Sequence, residues 1–233
     1  MIIKSTCEKA QREYGDMNYK GIIFDLDGTL LNTIADLGNS VNCILQQYGY
    51  PLHTEEKYKT YVGDGMRKLL ERSLPQGASV DFEEMFCAFL QTYDLAYMQE
   101  TKPYEGIEHL LAYLAKREIK LAVNSNKKDK YTKKLIQKFF GEIPFVEVIG
   151  EREGRDKKPS PEAALEIAEA MALPVRDILY IGDSETDIYT GKNAGMRAGG
   201  VNWGFRGQSE LEEAGADYIF NEINDILSIL SID

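Results

Sequence analysis

Apolar residues recur along this chain with two different spacings, and the change of spacing divides it into three parts. A short apolar run at 21–24 ends at two aspartates and a glycine, which is typical of a buried strand followed by a tight turn. From 34 to 97 the apolar positions follow a 3.6-residue period and predict helices only. Beyond Pro103 helical patterns alternate with short apolar runs at 120–123, 145–149, 178–181, 199–201 and 218–220.

Alternating strands and helices predict βαβ units, and therefore a parallel sheet. We expect an α/β fold with a doubly wound parallel-sheet (Rossmann-like) core and an all-helical cap inserted after the first strand. The core would comprise residues 17–31 and 104–233, and the cap residues 32–103. Linkers near 31–33 and 99–104 would let the cap move as a lid.

The first residues stand apart from this pattern. Residues 1–16 contain charges throughout and a single apolar pair, too short a run for a signal peptide. Residues 17–20 then lead straight into the first strand, as a natural start would. We therefore predict that residues 1–16 are a dispensable N-terminal extension.

Polar residues follow four of the apolar runs. In open α/β sheets, ligands bind at the carboxyl ends of the strands near a topological switch point, so these segments are expected to converge. Each also has an ordinary interpretation on its own: a turn residue, a solvated lysine or an acidic residue at a helix start. The segments are Asp25-Leu26-Asp27-Gly28, Asn124-Ser125-Asn126-Lys127, Lys157-Lys158-Pro159-Ser160-Pro161 and Gly182-Asp183-Ser184-Glu185-Thr186-Asp187.

The first of these segments indicates chemistry on a charged group. Asp25 and Asp27 are two like charges close together, and each raises the pKa of the other unless a cation or a proton lies between them. Such a pair suggests a metal site. In the second segment, the hydroxyl of Ser125 and nearby backbone N–H groups could hold an oxyanion.

Charge and cysteine content exclude several classes of protein. The formal net charge of −11 argues against nucleic acid or an anionic membrane as the main partner, but a local cation can still admit an anionic substrate. No apolar run reaches membrane-spanning length. The three cysteines are widely spaced and provide no disulfide framework or metal-ligand spacing, which favours a reducing cytoplasm.

The four polar segments resemble the signature motifs of the haloacid dehalogenase-like superfamily, in order and spacing, from residue 20 onward. The insertion between the first two motifs is similar to the helical cap of one subclass. Within that subclass, four further segments resemble phosphoglycolate phosphatases. They are Val62-Gly63-x-Gly65, Lys158-Pro159-x-Pro161, Asn193-Ala194-Gly195-Met196 and Val201-x-Trp203-Gly204.

The resemblance implies a phosphoaspartyl mechanism in which Asp25 is the nucleophile and Asp27 the general acid and base. It places Mg²⁺ on the Asp25 carboxylate, the Asp27 backbone carbonyl and Asp183. Asp187 would orient a metal-bound water or Lys158 rather than bind the metal directly.

The resemblance also implies a phosphate site. Ser125 and the N–H of Asn126 would hold phosphoryl oxygens, and Lys158 would neutralise their charge. The superfamily's dehalogenases lack a carboxylate at the position of Asp27, so phosphoryl transfer is expected instead.

The expected reaction is Mg²⁺-dependent hydrolysis of a small phosphomonoester, with 2-phosphoglycolate as the leading substrate and a small phosphorylated metabolite as the partner. The alternatives are a β-phosphoglucomutase-like phosphomutase, a pyrophosphatase and a catalytically silent binding protein on the same fold. A complete set of carboxylates argues against the silent protein. Monomer and homodimer both remain open.

The predicted cap contains ten acidic and six basic residues, and its net charge of −4 leaves no broad basic surface. Arg67, just after Gly63-Asp64-Gly65, is the candidate ligand for a substrate carboxylate, since a guanidinium binds carboxylates bidentately. The alternative is a solvated arginine on the outside of a helix.

Overall fold

The computed structural model describes residues 19–230, and its centre is a six-stranded parallel sheet. Residues 1–16, which we predict to be a dispensable extension, lie outside the residues that the structure describes. The strands occur in the spatial order β5-β4-β1-β6-β7-β8. They are β1 (Gly21–Phe24), β4 (Lys120–Lys128), β5 (Phe145–Glu151), β6 (Ile178–Gly182), β7 (Arg197–Val201) and β8 (Tyr218–Phe220).

The strand order confirms the predicted doubly wound core. The chain passes from β1 to β4 and β5 on one side, and then returns to the other side of β1 to add β6, β7 and β8. The direction of winding therefore reverses at β1, which is the topological switch point of such sheets. Every residue of β1 is buried, as its uninterrupted apolar run requires of a strand covered on both faces.

Helices cover both faces of the sheet. Ile22 and Phe24 of β1 belong to one apolar cluster, whereas Ile23 belongs to a second cluster on the opposite face. The core helices are α5 (Ile107–Lys116), α6 (Asp129–Phe140), α7 (Glu162–Met171), α8 (Glu185–Asn193), α9 (Gln208–Glu213) and α10 (Ile223–Ser228).

Between β1 and β4 lies a helical insertion whose side chains form an apolar cluster together with Tyr131 of α6. Its helices are α1 (Ile34–Gln47), α2 (Glu55–Lys59), α3 (Met66–Ser73) and α4 (Phe82–Ala96). The buried apolar positions of α1 and α4 follow the 3.6-residue period, whereas α1 also buries Asp36, Gly38 and Ser40, which that period does not predict. The sequence pattern missed α2, because its five residues (Glu-Glu-Lys-Tyr-Lys) contain only one buried side chain, Tyr58.

The two chain segments that join the insertion to the core pair with each other. β2 (Leu31–Asn32) and β3 (Lys102–Pro103) form a short antiparallel ribbon. Next to it, the buried carboxylate of Asp36 accepts hydrogen bonds from the backbone N–H groups of Glu100 and Thr101 and from the Thr101 hydroxyl, at 2.7–2.9 Å. The outgoing and returning segments are thereby fastened side by side.

Within residues 19–230, no helix combines the length and the apolar character needed to cross a membrane.

Candidate active site

The polar segments meet at the carboxyl edge of the sheet. Phe24 lies in register with Val123 on one side and Ile181 on the other, so the residues that follow these three strands emerge together. They border a cavity of about 40 Å³, which has room for only a few water molecules. The cavity is lined by Asp25, Asp27, Leu37, Val62, Gly63, Gly65, Met66, Leu69, Ser125, Asn126, Lys127, Lys158, Asp183, Ser184 and Phe205.

Asp25 and Lys158 form a buried ion pair at the bottom of this cavity. Lys158 Nζ lies 2.7 Å from Asp25 Oδ1 and 2.6 Å from Asp187 Oδ1. Burial raises the pKa of Asp25 to about 7, although Lys158 opposes the shift. Burial alone would lower the pKa of Lys158, but the charges of Asp187 and Asp25 outweigh it and hold this pKa above its ordinary value.

Asp183 completes a cluster of three buried carboxylates. One oxygen from each of Asp25, Asp183 and Asp187 lies within 4.8 Å of the others. Burial raises the pKa of Asp183, and the charges of Asp187 and Asp25 raise it further. The ammonium of Lys158 contacts Asp25 and Asp187 but not Asp183, so the three carboxylates carry more negative charge than this one cation balances. An oxygen-only donor set with excess negative charge fits Mg²⁺.

Two glycines let the backbone pass close to Asp183. Gly28 has φ of +89°, and a Cβ there would lie 2.6 Å from Asp183 Cγ. A Cβ on Gly204 would lie 2.6 Å from the Gly28 carbonyl oxygen and 2.7 Å from Asp183 Oδ2. The next residue, Phe205, donates its backbone N–H to Asp183 Oδ2 at 2.7 Å. The loop after β7 therefore fixes one oxygen of this carboxylate.

Asp27 lies apart from the three-carboxylate cluster and has two partners of its own. Thr33 Oγ1 donates to Asp27 Oδ1 at 2.7 Å, and Lys127 Nζ lies 3.0 Å from both carboxylate oxygens. Lys127 is buried and packs over the ring of Tyr93 from α4, 5.2 Å from its centroid. Burial would lower the pKa of Lys127, but the charge of Asp27 outweighs it and raises this pKa.

Ser125 and Asn126 both line the cavity, and the side chain of each also forms hydrogen bonds within the protein. The Ser125 hydroxyl accepts the backbone N–H of Lys127 at 3.2 Å. The Asn126 side chain accepts the N–H of Lys158 at 2.9 Å and donates to the Gly63 carbonyl of the insertion at 2.9 Å. The Asn126 side chain therefore connects the segment that contains Lys158 with the insertion.

Asp187 lies at the start of α8, one helical turn beyond Asp183. Its Oδ2 accepts the N–H and the hydroxyl of Ser184, at 3.2 and 2.7 Å, while Oδ1 is bound by Lys158. Both of its oxygens thus have protein donors, in keeping with an orienting rather than a direct ligand.

The structure does not bring Arg67 to the cavity. Its guanidinium forms a bidentate pair with Glu83 at 2.7 and 2.9 Å, and it lies over the rings of Phe82 and Phe86. The side chain is 41% exposed on the outside of the insertion. This geometry favours the alternative interpretation of a solvated arginine.

Sequence reasoning missed the contacts of Lys127 with Asp27 and of Phe205 with Asp183. Lys127 directly follows the predicted Ser125-Asn126 pair, and Phe205 directly follows the Trp203-Gly204 pair. Their positions next to recognised motifs are the only feature of the sequence that points to them.

Comparisons with known proteins agree with this geometry. A profile of the haloacid dehalogenase-like hydrolase family matches residues 22–201. The chain belongs to this family. The match confirms the resemblance inferred from the motifs, and it includes the helical insertion and the sheet from β1 to β7.

Other members of the family resemble the chain over nearly its whole length. The phosphoglycolate phosphatase of Vibrio parahaemolyticus is 28% identical over 220 residues, which cover 91% of this chain and 96% of the relative. A solved structure from Lactobacillus delbrueckii subsp. bulgaricus is 31% identical, with a TM-score of 0.83 over 92% of this chain and 99% of that one. A predicted phosphoglycolate phosphatase from Haemophilus somnus is 27% identical, with a TM-score of 0.82 over 91% and 97%. The chain is thus a haloacid dehalogenase-like hydrolase, similar to phosphatases.

Proposed function

We propose that this hydrolase is a Mg²⁺-dependent phosphatase that cleaves a small phosphomonoester, with 2-phosphoglycolate as its leading substrate, through an aspartyl-phosphate intermediate. The observation that carries the proposal is the buried Asp25–Lys158 pair beside Asp183, which lines a cavity at the carboxyl edge of the sheet. The names of the relatives support phosphoglycolate as the substrate.

In the first step, Asp25 attacks phosphorus and forms an acyl phosphate while the bond to the alcohol oxygen breaks. Lys158 neutralises charge on the phosphoryl oxygens, and Ser125 and the N–H of Asn126 hold those oxygens. Asp27 gives its proton to the departing oxygen, so the alcohol leaves uncharged.

In the second step, Asp27 is a carboxylate and takes a proton from the water that attacks the phosphoryl group. The bond between phosphorus and Asp25 breaks, phosphate is released and Asp25 is restored. Lys127 and Thr33 hold Asp27 in place for both proton transfers.

The metal would be held by the Asp25 carboxylate, the Asp27 backbone carbonyl and Asp183. When bound, Mg²⁺ reduces the repulsion between an attacking carboxylate and a phosphoryl dianion. Asp187 orients Lys158 in this arrangement.

The helical insertion, residues 32–103, is the cap of this enzyme, and residues 17–31 and 104–233 form the catalytic core. Residues of the insertion line the cavity on the side opposite the core segments, so movement of the cap would change access to it for binding and release. The paired linkers β2 and β3 are the candidate hinge, because only a two-residue ribbon joins the two parts there.

A phosphatase of this kind would act in the cytoplasm on a small phosphorylated metabolite, as a monomer or homodimer, and not on nucleic acid or a membrane. The net charge of −11 supports the last two points.

The direct test is phosphate release from a panel of small esters, with and without Mg²⁺, by the wild type and by Asp25→Asn. We expect turnover that requires Mg²⁺ and a loss of at least about 10⁴-fold in the variant, because the nucleophile is removed. Full turnover by Asp25→Asn would refute the mechanism. Phosphoryl transfer from β-glucose 1-phosphate to a second sugar position would identify a mutase instead.

A further inference from the structure

A second cavity, of about 690 Å³, lies between α5 and α10. Its volume is in the range of sites for small molecules, about 300–1,000 Å³. Three half-buried aromatic residues line it: Tyr104 just before α5, Tyr113 in α5, and Trp203 in the loop after β7. None of the three lines the cavity beside Asp25, so the two cavities are distinct.

The charged residues that line this second cavity are acidic. Glu105 and Glu222 are both exposed, and no lysine or arginine of residues 19–230 lines it. Each carboxylate has a full negative charge, which exceeds the roughly half positive charge at the start of the helix beside it. Arg117, which does not line the cavity, already lies over the ring of Tyr113, 5.1 Å from its centroid. Carboxylates beside aromatic rings attract a cation and repel an anion.

Two of the aromatic residues are hydrogen-bonded to the turn that follows Asp25. Trp203 Nε1 donates to the carbonyl oxygen of Thr29 at 3.1 Å, and the backbone N–H of Tyr104 donates to the carbonyl oxygen of Leu30 at 3.2 Å. The two carbonyl groups are consecutive in the chain. A ligand that packs against Trp203 and Tyr104 would therefore contact the residues that support this turn.

Trp203 also leads directly into the contacts of Asp183. The next residue, Gly204, lies so close to this carboxylate that a Cβ would not fit, and Phe205 donates its N–H to Asp183 Oδ2 at 2.7 Å. A shift of Trp203 would thus be transmitted through two residues to one of the three clustered carboxylates.

We propose that the cavity between α5 and α10 is a second ligand site, which binds a small organic cation with an apolar body and is coupled through Trp203 to Asp183. The cation site is independent of the proposed phosphatase function, and only its coupling to a metal at Asp183 rests on that function.

Trp203 is the only tryptophan of the chain, so its indole fluorescence reports on this cavity directly. The test titrates the protein with 2-phenylethylammonium, with the neutral 2-phenylethanol and with the anion 3-phenylpropionate. We expect a saturable change with the cation, which should bind at least about fivefold more tightly than the alcohol, because the rings and the carboxylates both attract its charge.

Three results of this titration would overturn the proposal: no saturable response to the cation, equal affinities for the cation and the alcohol, or tighter binding of the anion.

Substitutions at Glu105 and Glu222 locate the binding. Glu105→Gln and Glu222→Gln should each weaken binding of the cation by about 2- to 5-fold, the range for a partly exposed charge pair, and leave the affinity for the alcohol unchanged. Glu108→Gln is the matched control, because Glu108 is exposed on the same helix, α5, but does not line the cavity. Equal effects of Glu105→Gln and Glu108→Gln would show a general attraction to an acidic surface and overturn the site.

The coupling is tested by measuring the affinity for 2-phenylethylammonium in Mg²⁺ and in EDTA, with the Tm as the check that the metal binds. Two coupled ligands change each other's affinity by the same factor, typically about fivefold or more. We expect such a difference in the wild type and none in Asp183→Asn. Equal affinities in a protein whose Tm is raised by Mg²⁺ would overturn the coupling. A Mg²⁺-dependent affinity in a protein that releases no phosphate from any ester would support this inference and refute the proposed function.

Discussion

Gly204 lies against Asp183 so closely that a Cβ at position 204 would be 2.7 Å from Asp183 Oδ2. The same Cβ would be 2.6 Å from the carbonyl oxygen of Gly28, in the turn that follows the proposed nucleophile Asp25. The close approach of the Gly28 turn and Asp183 therefore requires a glycine at position 204.

Gly204→Ala should consequently displace Asp183 or the turn at Gly28 that follows Asp25. We expect kcat/KM to fall by about 100-fold or more, since small misplacements of reacting groups have effects of this size. Gly207→Ala is the matched control, because nothing lies within 4 Å of a Cβ there and its φ is −84°. Phosphate release measures both variants, and equal activity in the two would contradict the steric argument.

Asp183→Asn should make the metal-free protein more stable and abolish its stabilisation by Mg²⁺. The substitution removes a buried charge close to Asp187 and Asp25, while an amide oxygen can still accept the N–H of Phe205. We expect the Tm without metal to rise by about 2–4 °C for each kcal/mol of relieved repulsion. Differential scanning fluorimetry with EDTA and with Mg²⁺ checks this, with the exposed Glu213→Gln as control. An unchanged Mg²⁺ response in Asp183→Asn would exclude Asp183 as a ligand.

The raised pKa of Asp25, about 7, predicts how the metal-free protein responds to pH. Between the ordinary carboxyl pKa and about 7, the folded state holds a proton that the unfolded state has lost, so stability falls as pH rises. One such group changes the unfolding constant by at most about tenfold per pH unit. Chemical denaturation in EDTA at about pH 5 and pH 8 measures the trend, and Asp25→Asn should lack this component.

Much of the site follows from the sequence, because parallel strands deliver their carboxyl ends to one edge. To predict that Asp25, Ser125 and Asp183 line the same site, it is enough to know where three strands end and where the sheet has its switch point. To predict that Lys158 joins them, one must also assume that the loop after β5 turns back over the same edge of the sheet.

The contacts of Lys127 and Arg67 cannot be predicted from the ends of the strands. β4 continues to Lys128, five residues past its apolar run, and its pairing with β5 is irregular between Asn124 and Lys128. The direction of Lys127 depends on that irregularity, which leaves no trace in the hydrophobic pattern. Arg67 is a candidate substrate ligand in the sequence because it closely follows two glycines. Its orientation, however, depends on Glu83, a residue 16 positions away on another helix.

The contacts of Arg206 hold the insertion against the core. Its side chain is mostly buried and donates to the carbonyl groups of Lys59 and Val62 in the insertion, while its Nε lies 3.6 Å from Glu210 in the core. We expect Arg206→Met to favour the open form, raising hydrogen exchange at residues 59–63 by about tenfold and lowering kcat/KM by a similar factor, because two hydrogen bonds across the junction are lost.

Arg72→Met is the matched control for this variant. Arg72 binds the Tyr61 carbonyl and Asp64, so its hydrogen bonds lie within the insertion and do not reach the core. If Arg206 holds the two parts together, Arg206→Met lowers kcat/KM and Arg72→Met leaves it near the wild-type value, even though both disturb the same loop. Equal effects of the two variants on exchange and on kcat/KM would mean that Arg206 stabilises the loop alone, and cap closure would then depend on Asn126 and its hydrogen bond to Gly63.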